Sequence, residues 1–227
     1  AAMFATHGVE VLGVDINDHV ISTLRSGQIH IQEPGLLDLV QHALASGNLR
    51  VSHQPEYAEA FVIAVPTPFH DDKTADMRAV TSAAEEIAPY LKQGNLVVLE
   101  STSPPLTTLD LVLPILEKSG LKAGQDFYLA YSPERVLPGK ILEELVYNAR
   151  VIGGITCESA RIGKELYAHF VQGEIVETDA TTAEMVKLME NTYRDVNIAI
   201  ANEFARLADR FGVDVWEAIS LANRHPR

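Results

Sequence analysis

Lys187 and Asn191 lie four residues apart in the run Glu184-Met185-Val186-Lys187-Leu188-Met189-Glu190-Asn191. Residues at that spacing share one face of a helix. A fixed cation beside an amide suits an oxygen on which negative charge develops. Met185, Val186, Leu188, Met189, Val196, Ile198, Ile200, Phe204, Leu207 and Phe211 surround the pair on more than one side of the helix. A helix apolar nearly all round is expected in a core or an interface. A cation and an amide there cost free energy unless something pairs with them, and a bound substrate would be such a partner. The alternative is a lysine that lays its stem on apolar surface and keeps its ammonium in water beside a surface Asn.

Three further segments combine hydroxyls with prolines: Pro66-Thr67-Pro68, Ser101-Thr102-Ser103-Pro104-Pro105 and Tyr131-Ser132-Pro133-Glu134. Proline stiffens the backbone at each. One such loop is ordinary turn chemistry; three, each following an apolar run, favour a site. Asp15 closes another apolar run. It fits the acidic residue that ends the second strand of a dinucleotide-binding fold and accepts hydrogen bonds from a ribose, although Asp after a strand is also a common helix N-cap.

These residues need elements to place them. Strands are expected at 9–14, 49–51, 60–65, 96–99, 127–130, 150–153 and 174–177, and helices at 20–26, 36–46, 77–91, 107–119 and 157–170. The alternation predicts an α/β fold, a doubly wound parallel sheet with helices on both faces. In such sheets ligands sit outside the carboxyl ends of the strands. From about residue 180 strands give way to one long helix reaching at least 209. The expected division is therefore a Rossmann-like domain over 1–179 and the start of a helical domain over 180–227. The Gly-rich turn that should precede Asp15 would lie ahead of Ala1, and residues 1–6 read as the tail of the helix after that turn. The dinucleotide-binding domain is thus expected to be N-terminally incomplete.

Composition narrows the function. The chain has 227 residues, 47% of them hydrophobic, and a formal net charge of −13 without a basic block, so nucleic acid is not an expected partner. No apolar run approaches the ~20 residues needed to cross a bilayer, and no signal peptide is visible. The single cysteine, Cys157, excludes an internal disulfide framework and fits a reducing, cytoplasmic setting. It reads as a small, semi-buried residue. The eight histidines are dispersed without ligand spacing, so no metal is expected.

Five motifs occur in order: Gln32-Glu33-Pro34-Gly35-Leu36, Val65-Pro66-Thr67-Pro68, Ser101-Thr102-Ser103-Pro104-Pro105, Tyr131-Ser132-Pro133-Glu134-Arg135-Val136-Leu137-Pro138-Gly139, and Lys187-Leu188-Met189-Glu190-Asn191. Together they resemble the UDP-glucose/GDP-mannose dehydrogenase family over essentially the whole chain. Ser132-Pro133-Glu134-Arg135 followed by Pro138-Gly139 resembles its branch for UDP-N-acetyl-hexosamines, the manno epimer. A second Glu stands at the Pro138 position in the UDP-glucose branch, which argues against UDP-glucose.

The resemblance implies a two-step oxidation of the sugar C6 alcohol to a carboxylate with two NAD. Lys187 is implied to stabilise the oxyanion at C6 and Asn191 to hold the same oxygen. Glu134 is implied to orient or deprotonate water, and Thr102 to position a water near the nicotinamide. Arg135, Val136 and Leu137 would line the substrate. Asp15 would bind the ribose, with Pro66 and Thr67 near the cofactor. A homodimer through the long helix is also implied. The family's catalytic cysteine would follow Arg227, so this stretch alone is not expected to run the full reaction. Two rivals remain at the level of sequence. A β-hydroxyacid dehydrogenase also carries a Lys and an Asn on its interdomain helix, and a non-catalytic module would use that helix only to oligomerise.

Overall fold

A computed structural model describes residues 1–225 of the 227. They fall into two compact units, the first Ala1–Met185 and the second beginning at Val186. The helices are α1 (Ala2–Thr6), α2 (Asp18–Arg25), α3 (Leu36–Ala45), α4 (Arg78–Ile87), α5 (Leu113–Leu116), α6 (Ile141–Tyr147), α7 (Cys157–Tyr167), α8 (Ala180–Phe211) and α9 (Val215–Ala222).

In the first unit β1 (Val11–Val14) and β2 (Leu49–Ser52) pair in parallel as one small sheet. A second sheet holds β3 (Ala60–Ile63), β4 (Leu96–Leu99), β5 (Tyr128–Tyr131), β6 (Arg150–Gly154) and β7 (Ile175–Asp179), in that order. The first three are parallel and in register, with Ile63, Leu99 and Tyr131 aligned. Three of the loops singled out in the sequence therefore leave the sheet at one level.

All four residues of β4 are buried, and successive side chains serve opposite faces. Val97 and Leu99 pack with Val80, Ala84 and Ile87 of α4 and Ile115 and Leu116 of α5. Leu96 and Val98 pack with Ile152 and with Tyr167 and Phe170, where Met3 and Phe4 of α1 join them. Helices on both faces explain why these strands read as continuous apolar runs.

The sequence predicts parallel strands throughout, and β6 breaks that rule. It runs antiparallel to β5, with Tyr131 opposite Gly153. A parallel neighbour needs a crossover packed on a sheet face. The chain between β5 and β6 carries only α6, which buries no residue, so the chain turns back at the same edge. This brings the first residue of β6, Arg150, beside the carboxyl ends of β4 and β5. The helix expected at 107–119 is also altered. It is a π-helical turn over Thr107–Val112, then α5, then a 3-10 turn over Glu117–Ser119. Pro114 has no N–H to donate back along the helix, so the turn ahead of it does not close as regular α-helix, and α5 starts anew with Pro114 in its first turn.

The long helix α8 starts hard against β6. A Cβ on Gly153 would stand 2.4 Å from the Asp179 carbonyl oxygen and 2.7 Å from the Ala183 Cβ, so only glycine admits the helix there. The second unit holds the rest of α8 and α9, whose N-terminus is capped by the Asp214 carboxylate through the Trp216 and Glu217 amides. Ile198, Ile200, Phe204, Phe211 and Trp216 are exposed. Four of these, Ile198, Ile200, Phe204 and Phe211, are positions that the sequence marks for a core or an interface.

Candidate functional site

The hydroxyl-and-proline loops at the ends of β3 and β4 are tied to one another. The Ser101 hydroxyl donates to the Val65 carbonyl at 2.6 Å and the Thr67 hydroxyl to the Thr102 carbonyl at 2.7 Å. Ser103 donates to the Ser101 carbonyl at 2.8 Å. Prolines remove donors and side-chain hydroxyls supply them, so the two loops hold each other without a ladder. Pro66 is exposed and Thr102 half-buried at the rim of this pair.

Beyond β5, Ser132 and Pro133 are buried while Glu134, Arg135 and Val136 are half-buried and Leu137 is exposed. The Glu134 carboxylate accepts from the Val136 amide. The Arg135 guanidinium donates to the Ala149 carbonyl at 2.7 Å, which anchors the loop just ahead of β6.

Four groups that the sequence reading left without a role meet beneath these loops. Arg150, 7% exposed, donates to the Glu100 carboxylate at 3.0 Å and to the Ser132 hydroxyl at 2.9 Å. The Tyr167 hydroxyl donates to the same Glu100 oxygen at 2.7 Å, and the Arg150 guanidinium lies 4.0 Å from the Tyr167 ring centre. Burial, and then the Glu100 charge, push the Tyr167 hydroxyl well above its usual range, so it stays a donor. The only sequence signal is Glu100, an acid placed directly after a wholly apolar strand.

Glu184 is a second such group. It is fully buried in the first turns of α8. Its carboxylate accepts from the Leu106 amide at 2.6 Å, the Thr108 amide at 2.8 Å and the Thr108 hydroxyl at 2.6 Å. Leu106 has a φ of 73°, an unfavourable region for a branched residue. Glu184 thus secures a strained entry to the π-helical turn. Burial raises its carboxyl above the ordinary Glu value, against the bonds from Thr108 and Leu106.

A raised value means that the folded state takes up this proton more readily than the unfolded one. Its contribution to stability is then complete below the ordinary value and is lost as pH rises through the folded value. Glu184→Gln removes that slope. Urea unfolding from about pH 4 to 8 should show the difference between wild type and variant moving in the variant's favour as pH rises. A flat or opposite trend would mean that burial does not dominate at Glu184.

Asp15 directly follows β1 and is half-buried. Its carboxylate accepts from the Asn17 amide at 2.8 Å and its carbonyl oxygen meets the His53 ring at 3.1 Å. The cap of α2 is Asn17, through the His19 amide, so Asp15 is not the N-cap that the alternative required. On α8 Lys187 is 8% exposed and Asn191 half-buried. Cys157, expected to be semi-buried, is exposed because it opens α7 directly after the Thr156 cap. No helix among the described residues is long and apolar enough to cross a membrane.

Parallel strands ending together, helices on both faces and a cluster of hydroxyls and carboxylates at the shared edge define a Rossmann-like α/β domain. Family comparison makes this specific. Residues 1–171 match the NAD binding domain of the UDP-glucose/GDP-mannose dehydrogenase family, and residues 181–227 its central domain. The chain belongs to that family.

A UDP-N-acetyl-D-mannosamine dehydrogenase from Methanococcus maripaludis is 53% identical, with 100% of this chain and 52% of the relative covered. An NDP-N-acetyl-D-galactosaminuronic acid dehydrogenase from Ralstonia solanacearum is 50% identical, with 100% and 55% covered. The solved UDP-N-acetyl-mannosamine dehydrogenase Cap5O from Staphylococcus aureus superposes with a TM-score of 0.91 at 53% identity, covering all of this chain and 55% of that one. The chain spans about half the length of the relatives it matches.

Proposed function

We propose that the full-length protein is an NAD-dependent nucleotide-sugar 6-dehydrogenase that oxidises the C6 alcohol of a UDP-N-acetyl-hexosamine, the manno epimer, to the uronate. The observation that carries this reading is the 132–139 loop, Ser132-Pro133-Glu134-Arg135 with Pro138-Gly139, standing where strand β5 ends, in a chain of this family. The residues present fit NAD. A carboxylate at a strand end suits the ribose hydroxyls and would repel the extra phosphate of NADP, which assigns Asp15 to the ribose and Pro66 and Thr67 to the cofactor's flank. The bound cofactor supplies the hydride acceptor.

The chain's own residues supply the rest. Lys187 and Asn191 hold the C6 oxygen as charge develops on it. Thr102 positions a water. Glu134 orients and deprotonates the water of the hydrolytic half, a general-base task. Arg135, Val136 and Leu137 lie along the sugar nucleotide. We place the division between the cofactor domain and the helical domain at residue 180. We assign the exposed apolar positions of α8 to a two-fold homodimer of a cytoplasmic enzyme.

The experiment is turnover by the purified full-length protein with UDP-N-acetyl-mannosamine, UDP-N-acetyl-galactosamine and UDP-glucose, with light scattering on the same sample. Two NAD reduced per UDP-N-acetyl-mannosamine, by a dimer, is the expected result. Faster turnover of UDP-glucose would overturn the substrate, and a monomer at micromolar concentration would overturn the dimer.

A further inference from the structure

The Glu33-Pro34-Gly35 motif has no part in the chemistry above, and Pro138-Gly139 enters it only as a mark of the substrate branch. The structure joins them. The Glu33 carboxylate accepts from the Gly139 amide at 2.9 Å through one oxygen and from the Ile141 amide at 2.8 Å through the other. Residues 137–140 form the turn that presents these amides. The Lys140 amide donates to the Leu137 carbonyl at 3.1 Å, Pro138 fills the second position and Gly139 the third with a φ of 90°. That is a type II turn, which favours proline second and needs a positive φ third. The Leu142 side chain approaches the loop that carries Glu33, 3.4 Å from where a Cβ on Gly35 would stand.

The surroundings decide what this contact is for. The excursion between β5 and β6 has one helix, α6, and that helix buries no residue. Leu145 packs against the core, and the Gln172 and Gly173 amides donate to the Val146 carbonyl at 2.7 and 3.0 Å, which places the end of α6. The stretch that leads from β5 into α6 carries further polar ties: Arg135 to the Ala149 carbonyl at its start, the Leu137 amide to Glu144 at 2.7 Å in its middle, and Glu33 at its tip. Glu33 alone among these reaches it from outside, from the loop between α2 and α3. A carboxylate taking two backbone amides is a charge-assisted pair, roughly twice as strong as neutral hydrogen bonds.

We propose that Glu33 is a positioning residue. With the Pro138–Gly139 turn it forms a latch that holds residues 134–137 in the shape that receives the sugar nucleotide. The link to substrate rests on the function proposed above; the latch itself does not. Pro138, in place of the second carboxylate of the UDP-glucose branch, then serves to shape the turn that Glu33 grips.

The test uses the full-length protein with Glu33→Ala, Gly139→Ala and the double variant. Hydrogen exchange should be about tenfold or more faster at the Gly139 and Ile141 amides in Glu33→Ala, with the amides of β4 unchanged. KM for the sugar nucleotide should rise about tenfold or more, the size expected from losing a charged hydrogen bond, while KM for NAD stays within about twofold. Gly139→Ala, which breaks the turn from the other side, should give the same pattern. The double variant should add little to either single change, because both break one contact. Unchanged exchange at Gly139 and Ile141 in Glu33→Ala would overturn the latch whatever the substrate is. Faster exchange with an unchanged sugar-nucleotide KM would overturn the positioning role. If the wild-type protein turned over no UDP-sugar, the functional reading would fall and exchange would still decide the latch.

Discussion

Arg150→Met should lower the melting temperature by on the order of 10 °C. Removing one partner of a buried ion pair typically costs about 3–5 kcal/mol, and a chain of this size loses about 2–4 °C per kcal/mol. Methionine keeps most of the apolar stem, so the loss reads the guanidinium. Glu100 would lose its guanidinium partner and keep the Tyr167 hydroxyl, and the Ser132 hydroxyl would lose its donor. The same change releases both loops that Arg150 ties together, the one after β4 that carries Thr102 and the one after β5 that carries Glu134. Adding Glu100→Leu should recover much of the loss, because an uncompensated, partly buried carboxylate is what makes the single variant costly. Differential scanning calorimetry on the single and double variants checks both statements. A drop below about 3 °C, or a double variant that is worse by the sum of both changes, would show that the cluster is not a buried pair in solution.

The parts of the fold legible in the sequence are those encoded by local runs. Residues 96–99 form a strand because all four are apolar and lie between two helix layers, and the long helix is legible because its pattern lasts more than thirty residues. The direction of β6 is not legible in the same way, since Arg150-Val151-Ile152-Gly153-Gly154 reads equally well in either direction. Only the failure of α6 to cover a sheet face settles it. The strand-end loops are legible by residue type, and the ligand roles proposed for their residues rest on the family resemblance. The structure adds that several of their hydroxyls are spent on the scaffold: Ser101 on Val65 and Thr67 on Thr102 across the two loops, and Ser103 on Ser101 within one. The pattern of prolines and hydroxyls thus encodes a scaffold as much as a site. Glu100 with Arg150, Glu184 with Thr108, and Glu33 with Gly139 pair residues 50 to 106 positions apart. No local pattern carries such pairs: Glu33 stands in a motif and Glu184 heads the run that holds Lys187, yet neither segment names the distant partner.

Lys187→Ala should reduce kcat by about 10²–10³, the usual loss for one donor to a developing oxyanion, with little change in the sugar-nucleotide KM. The motive is the conjunction of family, spacing and burial. A lysine that only covers apolar surface keeps its ammonium in water, whereas Lys187 is 8% exposed. An interaction made chiefly in the transition state lowers kcat and kcat/KM together, while one made equally with bound substrate raises KM. Steady-state kinetics of the full-length protein separate the two. Asn191→Ala, one helical turn along the same face, should show the same split with a smaller loss, because an amide brings no net charge to the oxygen. Near-normal kcat in Lys187→Ala with a lowered melting temperature would assign the residue to packing. A raised KM at constant kcat would assign it to holding the substrate before reaction.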